Sequence, residues 1–467
     1  MDRYYDDIVH TSRLEINIAK LYIFFLPFRL FTQLAFLKGI VGVCANYMPF
    51  VFHILGLAVW FINERGKIYF NNSESFFFLK KTTFLVIYLN LSSLIMAIVM
   101  QAINGNHGGE SAFSGIIGMT IYFIQYLLMF VYCARIFDLL DRKEINKILH
   151  RVCLVLLFIG YFQVFVMNGI GGSIYDVLNI FGNLNPSNYL PKLCLTGAEG
   201  ATAGCIMAVF VFPFLLSKVL EVGEKKYIFE IVAWLVPLFF TYSSTAYILV
   251  VTDILIFSLF FCTQKGNGSR LTTLFSIFCI LAILAFVLLQ TGLLGDGVTE
   301  KIEYLLLEKV TDRTNGSTTS RTVPLLVNWG AFKEYPILGV GNGLQGYFYE
   351  KYFPSWALSV AGSDVGVFLE ASKTGIANGG VFIPSLLSGY GIIGCIMIVF
   401  WIIKLIRMNR MRQSTNANFY HMFIIASIAF IVMGFQGDAY GMYFAWFMLA
   451  LPLYDGSKDY GGEEVII

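Results

Sequence analysis

The chain has 467 residues, of which 57% are apolar and 13% are charged. A soluble domain carries about a quarter charged residues, so this composition excludes an ordinary soluble globular protein. The formal net charge of +2 gives no electrostatic basis for a nucleic-acid partner, and five histidines leave little material for a metal site.

Apolar segments long enough to cross a bilayer follow one another along the chain. About 20 apolar residues are needed, because each helical residue rises ~1.5 Å across a core ~30 Å thick. Residues 1–20 are polar and mixed in charge, so we expect the first span itself to serve as the insertion signal. Ten predicted spans are residues 14–37, 40–62, 82–101, 113–134, 152–170, 193–216, 271–291, 381–403, 419–435 and 439–454.

The apolar segment 228–262 is too long for one crossing and has a polar run, residues 241–245, in its middle. We interpret it as two short helices that meet at this run, which must be lined by protein or water. The total is then about twelve spans. All eight cysteines fall in apolar segments, so neither a disulfide framework nor a zinc site is expected.

Lysine and arginine in the short loops indicate the orientation, because they accumulate on the cytoplasmic face. With twelve spans, the five basic loops all fall on the face that also holds both termini. Residues 292–380 then form one long loop on the opposite face, a length that is usually functional. The predicted organisation is nine spans in residues 1–291, an extracytoplasmic loop 292–380, and three spans with a cytoplasmic tail in 381–467.

Within this loop, residues 298–311 are predicted to form a short amphipathic helix. A second helix is predicted to begin with Ser320 as its cap and Pro324 in its first turn, and to stop at Tyr335-Pro336. Its apolar face is predicted to contain Leu325, Leu326, Trp329 and Phe332. An aromatic cluster follows, suited either to stacking on sugar rings or to anchoring at the membrane interface.

Three glycines, Gly339, Gly341 and Gly343, lie between the helix and the aromatic cluster. They predict either a loop whose bare backbone offers N–H groups to phosphate or a tight turn that packs the loop against the spans. Arg321 could hold an anionic leaving group with its planar fork of donors, or form an ordinary salt bridge.

Two carboxylates interrupt the apolar segments. Glu199 lies among small residues near the outer end of its span, and an intramembrane carboxylate indicates a functional site or a structural partner for a basic residue. The same alternatives apply to Asp253, which lies deeper in the segment that follows residues 241–245.

Several of these motifs resemble the signature of the O-antigen polymerase and O-antigen ligase superfamily. The resemblance covers residues 190–400. It includes Arg321, the helix with Trp329-Gly330-Ala331, and the turn Pro336-Ile337-Leu338-Gly339-Val340-Gly341. It also extends to Thr196-Gly197-Ala198-Glu199, to residues 241–247, and to Asn378 followed by Gly391-Ile392-Ile393-Gly394.

The resemblance implies an all-α membrane glycosyltransferase of the GT-C-like type in the bacterial cytoplasmic (inner) membrane. It would join undecaprenyl-pyrophosphate-linked oligosaccharides outside that membrane, in the biosynthesis of lipopolysaccharide O-antigen, capsule or exopolysaccharide. Its partners would be these lipids, membrane lipids and a chain-length regulator, with no cofactor, no metal and no nucleic acid.

The resemblance also suggests roles for individual residues. Arg321, with Arg313, would hold the pyrophosphate, and Glu199 would be the general base. Asp364, Glu370 and Asp253 are reserve acids. The remaining candidates for binding pyrophosphate or glycan are Gly339, Gly341, Gly343, Asn378, Ser243 and Ser244.

Two positions depart from the ligase pattern and favour the polymerase branch. Ligases typically carry a histidine just before the Asn, where this chain has Ala377, and an arginine where it has Ser244. The alternatives are a ligase of the same superfamily, and a lipid-linked oligosaccharide flippase or another transporter. A transporter commonly has two-fold internal similarity, and none is evident here.

Overall fold

The computed structural model describes residues 12–29, 47–66, 73–107, 109–167, 192–197, 199–263, 316–360, 380–437 and 441–456. These parts of the chain are helical and contain no β-strand. The helices are α1 (Arg13–Phe25), α2 (Met48–Asn63), α3 (Ser73–Asn104), α4 (Ala112–Leu139), α5 (Arg142–Met167), α6 (Gly200–Ile206), a π-helical turn (Met207–Val211), α7 (Phe212–Val222), α8 (Lys225–Phe240), α9 (Ser244–Thr263), α10 (Gly316–Glu334), α11 (Tyr349–Tyr352), α12 (Phe382–Met411), α13 (Ala417–Gly434) and α14 (Tyr443–Ala450). Short 3-10 turns cover Gln345–Phe348, Ser355–Ser359 and Leu451–Leu453.

Seven of the described helices are long and apolar enough to cross a membrane, which confirms a helical, multi-pass architecture. They are α3, α4, α5, the continuous α6–α7 rod, α9, α12 and α13. Helices α2 and α14 are apolar but shorter. The predicted span 271–291 and the predicted helix 298–311 lie outside the described residues.

The polar run 241–245 divides two helices, as predicted. Helix α8 ends at Phe240, Tyr242 has a φ of 46°, and α9 begins at Ser244. A positive φ in a non-glycine residue does not continue an α-helix, so the helix is interrupted here.

Two span boundaries were predicted wrongly. The segment 193–216 is not helical from its start: residues 193–197 are irregular and α6 begins only at Gly200. The Gln163 side chain holds this irregular stretch, donating to the Leu195 carbonyl at 2.8 Å and accepting from the Leu195 N–H at 2.8 Å. In the segment 14–37, α1 ends at Phe25, two residues before Pro27, whose nitrogen has no hydrogen to continue the helical hydrogen bonds.

Ion pairs join helix ends that the charge pattern assigns to one face. Arg135 near the end of α4 binds Glu15 at 2.7 Å and Glu64 at 3.1 Å; Arg135 and Glu15 are buried and Glu64 is partly buried. Arg142–Glu221 and Arg412–Glu74 link further ends of the same predicted face. Each of these ion pairs therefore joins helix ends that the charge pattern assigns to the same face, and the orientation of the bundle stays a prediction.

The α6–α7 rod is the centre of the bundle. In its most apolar stretch 94% of the residues are buried, compared with 28% in α12, so α12 lies at the periphery. A Cβ on Gly200 would lie 2.2 Å from the Thr241 carbonyl oxygen, and one on Gly204 would lie 2.3 Å from Ala246 Cβ. The small residues of α6 thus let it pack directly on the break before α9.

The segment that follows α10 inserts between spans. Helix α12 is kinked at Gly391, whose φ is 60°, and the backbone groups near the kink bond to this segment. Ile392 N–H donates to the Pro336 carbonyl at 2.8 Å, and Val340 N–H donates to the Ser388 carbonyl at 2.8 Å. Irregular backbone is tolerated at such depth only where protein pairs it.

Helix α10 was predicted in the right place but with the wrong start. It begins at Gly316, so Ser320 is not its cap and Pro324 lies in its interior. Val323, Val327 and Ala331 are buried against the facing ends of α3 and α4, whereas Leu325, Leu326 and Trp329 are exposed and Phe332 is partly exposed.

Candidate functional site

A cavity of about 230 Å³ lies where the start of α6, the start of α9 and α10 meet. It contains Glu199 and Arg321, two residues singled out in the sequence, together with Arg29, a charged residue within the predicted span 14–37. The other lining residues are Tyr47, Ala201, Thr202, Cys205, Thr245, Met433, Gln436, Gly437, Gly441 and Met442.

Glu199 is the residue immediately before α6, with extended backbone, and its side chain is exposed. The preceding irregular stretch is fixed to the bundle, since the Thr196 hydroxyl donates to the Pro27 carbonyl at 2.6 Å. On the C-terminal side of Glu199, Gly200 is packed closely against the Thr241 backbone. The carboxylate is therefore held at the cavity by rigid backbone. Among the described residues it makes no hydrogen bond or ion pair.

Arg321 reaches the cavity from the first half of α10 and is partly buried. Burial lowers the pKa of its guanidinium, while the nearby Glu199 carboxylate raises it again. An arginine remains a cation under such an influence. Its guanidinium makes no hydrogen bond or ion pair with another residue of the described ranges, so its fork of donors is available to a ligand.

Arg29 enters the same cavity from the segment after α1. A backbone bridge between Arg29 and Tyr47 fixes this segment, and the guanidinium lies 5.7 Å from the centre of the Tyr47 ring. One terminal nitrogen donates to the Thr202 hydroxyl at 3.4 Å, and Nε is buried with no partner among the described residues. The position of Arg29 at the cavity was not predicted from the sequence, although a charged residue in an apolar segment is itself a signal of function.

The polar run 241–245 borders the cavity through Thr245, whose hydroxyl is buried and has no hydrogen-bond partner in the described parts of the chain. Ser243 and Ser244, the predicted binding residues of this run, are buried at the start of α9 and are not among the lining residues. Ser243 Oγ instead lies 3.5 Å from the Ala246 N–H.

The glycine turn does not offer its N–H groups to a ligand. Gly341 N–H donates to the Gly389 carbonyl, Asn342 N–H to Ser93 Oγ and Gly343 N–H to Gln345 Oε1, at 2.9, 3.2 and 2.9 Å. All three glycines have positive φ, between 74° and 96°; a Cβ on Gly339 or Gly343 would overlap a neighbouring span, and one on Gly341 would lie 2.9 Å from the Leu344 side chain. The geometry matches the alternative of a turn packed against the spans.

Asp253 is fully buried in α9 and does not line the cavity; neither of its oxygens has a partner among the described residues. The remaining candidates, Arg313, Asp364, Glu370 and Asn378, lie outside the described residues.

The cavity thus combines two guanidinium groups, one carboxylate and an unpaired hydroxyl beside apolar walls. Two guanidinium groups can bind an anion such as a phosphate in bidentate fashion. A carboxylate beside them can accept a proton from a bound hydroxyl.

Comparison with models of known protein families finds no match for this chain, and comparison with curated proteins finds none either.

Proposed function

We propose that the chain is a polysaccharide polymerase, a membrane glycosyltransferase that joins undecaprenyl-pyrophosphate-linked oligosaccharide units on the outer face of the bacterial cytoplasmic membrane. The observation that carries the proposal is the convergence of Glu199 and Arg321 on one cavity. The sequence resemblance assigns these two residues the roles of base and pyrophosphate-binding cation, and they come from distant parts of the chain.

In the proposed reaction, a hydroxyl oxygen of one lipid-linked unit attacks the anomeric carbon of the growing glycan. The bond from that carbon to the pyrophosphate oxygen breaks, and its electron pair stays on the pyrophosphate. Arg321 and Arg29 neutralise the charge that develops there, and Glu199 takes the proton of the attacking hydroxyl. Apolar side chains such as Met433 and Met442 form part of the cavity wall, and the lower local polarity strengthens these electrostatic interactions.

The test is deletion of the gene in its host, followed by gel analysis of the surface glycan. A single repeat unit remaining on the lipid core supports a polymerase. Complete loss of repeat units instead indicates a ligase or a flippase, and an unchanged ladder contradicts the proposal.

Complementation with variants then tests the site. The wild-type gene is expected to restore the glycan ladder. The Lys351→Ala variant should restore it as well, because Lys351 is an exposed cation that does not line the cavity. The Arg321→Ala variant should not restore the ladder even when the protein is present at its normal level, because the substitution removes a cation from the cavity.

A further inference from the structure

The outward face of α10 is apolar, although this helix belongs to the long loop rather than to a span. Leu325, Leu326 and Trp329 are 42%, 40% and 50% exposed, while the smaller Val323 and Val327 on the opposite side are fully buried. In water a helix would bury its larger apolar residues. Large contiguous apolar surfaces of this kind mark contacts with a membrane or a partner.

The exposed apolar residues that follow α10 lie against a membrane span. Ile337 and Leu338, just after α10, are also exposed, at 62% and 40%. Ile393 N–H donates to the Ile337 carbonyl at 3.3 Å, so this apolar pair lies beside the exposed Ile392 and Ile393 of α12. Among the seven described spans α12 has the smallest buried share, as expected of a helix whose exposed residues face lipid.

The position along α12 gives an approximate depth. Ile392 lies ten residues after Phe382, the first residue of the helix. At ~1.5 Å per residue this is roughly 15 Å along the axis, well inside a core ~30 Å thick. Ile337 is therefore at the level of the acyl chains.

The end of α10 has the features of an anchor at the membrane interface. The rings of Trp329 and Phe332 are stacked at 5.5 Å, and the Lys333 ammonium lies 5.6 Å from the Trp329 ring centre. Tryptophan is enriched at the bilayer–water boundary, and a lysine there extends its charged end to the headgroups.

We infer that α10 lies in the outer leaflet of the bilayer, with Leu325, Leu326 and Trp329 among the acyl chains and Lys333 at the headgroups. The following segment, with Ile337 and Leu338, continues this contact deeper along α12. The occupant of this surface is bilayer lipid, because the surface is continuous with the lipid-facing side of a span. The inference does not depend on the proposed enzymatic function.

Spin labels on the full-length protein in phosphatidylcholine vesicles test this placement. Labels at Leu326→Cys and Ile337→Cys are expected to collide more with oxygen than with a water-soluble nickel chelate, with the larger oxygen preference at position 337. A label at Glu350→Cys, an exposed position of the same loop, is the matched control and should show the reverse.

Two results would overturn the inference. Preferential collision of the first two labels with the nickel chelate would place α10 in water. Low collision with both reagents would mean that protein, such as residues 264–315 of this chain or a second copy, covers the surface.

Tryptophan fluorescence is a second measurement. It leaves the native cysteines in place and needs only one conservative substitution, Trp329→Phe. The difference in fluorescence between the wild type and Trp329→Phe reports Trp329 alone, and brominated phosphatidylcholine should quench it strongly. Trp329 emission that acrylamide quenches and brominated lipid does not would contradict the placement.

Discussion

Arg29 and Arg321 line one cavity, although they belong to the segments of the first and the tenth helix. The Arg29 guanidinium rests near Tyr47 and Thr202, and Arg321 approaches from α10, with the Glu199 carboxylate in the same cavity. Two like charges repel, so their convergence is most favourable when an anion lies between them. Three predictions concern this arrangement.

Arg321→Ala is expected to reduce polymer formation by about a hundredfold or more, because loss of one such electrostatic donor typically costs ~2.7–4 kcal/mol. Arg321→Lys should recover little, since it keeps the charge and loses the planar fork. The measurement is the glycan ladder at matched protein abundance. A wild-type chain-length distribution with Arg321→Lys would exclude bidentate binding, and one with Arg321→Ala would remove Arg321 from the site.

Arg29→Ala should also reduce polymer formation without reducing protein abundance. Because both arginines would hold one anion, the double variant Arg29→Ala/Arg321→Ala should lose much less than the product of the two single losses. Turnover in vesicles with a purified lipid-linked unit measures this coupling. Strictly multiplicative effects would show that the two arginines act on different groups.

Glu199→Gln is expected to abolish polymer formation, because the amide cannot accept the proton of the attacking hydroxyl. Its nearly identical shape should leave the protein level and thermal stability unchanged, as Glu199 makes no hydrogen bond among the described residues. Full-length polymer from a normally abundant Glu199→Gln protein would rule out the base role. A fall in abundance alone would indicate a structural role.

The apolar pattern predicted much of the bundle, because the cost of exposing backbone to lipid leaves few alternatives to a long apolar helix. It also predicted the division at residues 241–245. It did not predict where α6 begins, because Gln163 on another helix holds the irregular residues 193–197. Local sequence contains no information on such a long-range hydrogen bond.

The sequence places the larger apolar residues of α10 on one face but does not show whether that face is buried. Large apolar side chains point into the protein when water is on the other side, whereas next to lipid they can face outward. The burial of the smaller Val323, Val327 and Ala331 is what the inferred contact with lipid requires. Arg29 was missed as a site residue because its partners, Tyr47 and Thr202, are remote in sequence.

Asp253→Asn is expected to retain the wild-type chain-length distribution, because Asp253 does not line the cavity. Asp253→Leu should raise the thermal midpoint in detergent, since it removes a buried carboxyl group whose oxygens have no partner among the described residues. Loss of polymer by Asp253→Asn at normal protein level would instead place this residue in the mechanism. A lower midpoint for Asp253→Leu would show that the carboxyl group is paired.

Two glycines of α4 form a matched pair that tests the packing of the glycine turn against the spans. A Cβ on Gly115 would lie 2.7 Å from the Gly343 carbonyl oxygen, whereas a Cβ on Gly118, one turn further along, would meet nothing within 4 Å. Gly115→Ala must therefore displace the turn, and overpacking of this kind costs about 1–3 kcal/mol. Gly118→Ala should be neutral or stabilising by up to ~1 kcal/mol, because alanine favours the helix.

Thermal unfolding of the two detergent-purified proteins, followed by size-exclusion chromatography, measures the difference. We expect a lower midpoint for Gly115→Ala and an unchanged or higher one for Gly118→Ala. Gly343→Ala should resemble Gly115→Ala, because its φ of 96° is unfavourable for alanine and its Cβ would lie 2.3 Å from the Gly115 carbonyl oxygen. Equal midpoints for Gly115→Ala and Gly118→Ala would show that the turn does not pack on α4. The glycines would then again be available for an anion-binding role.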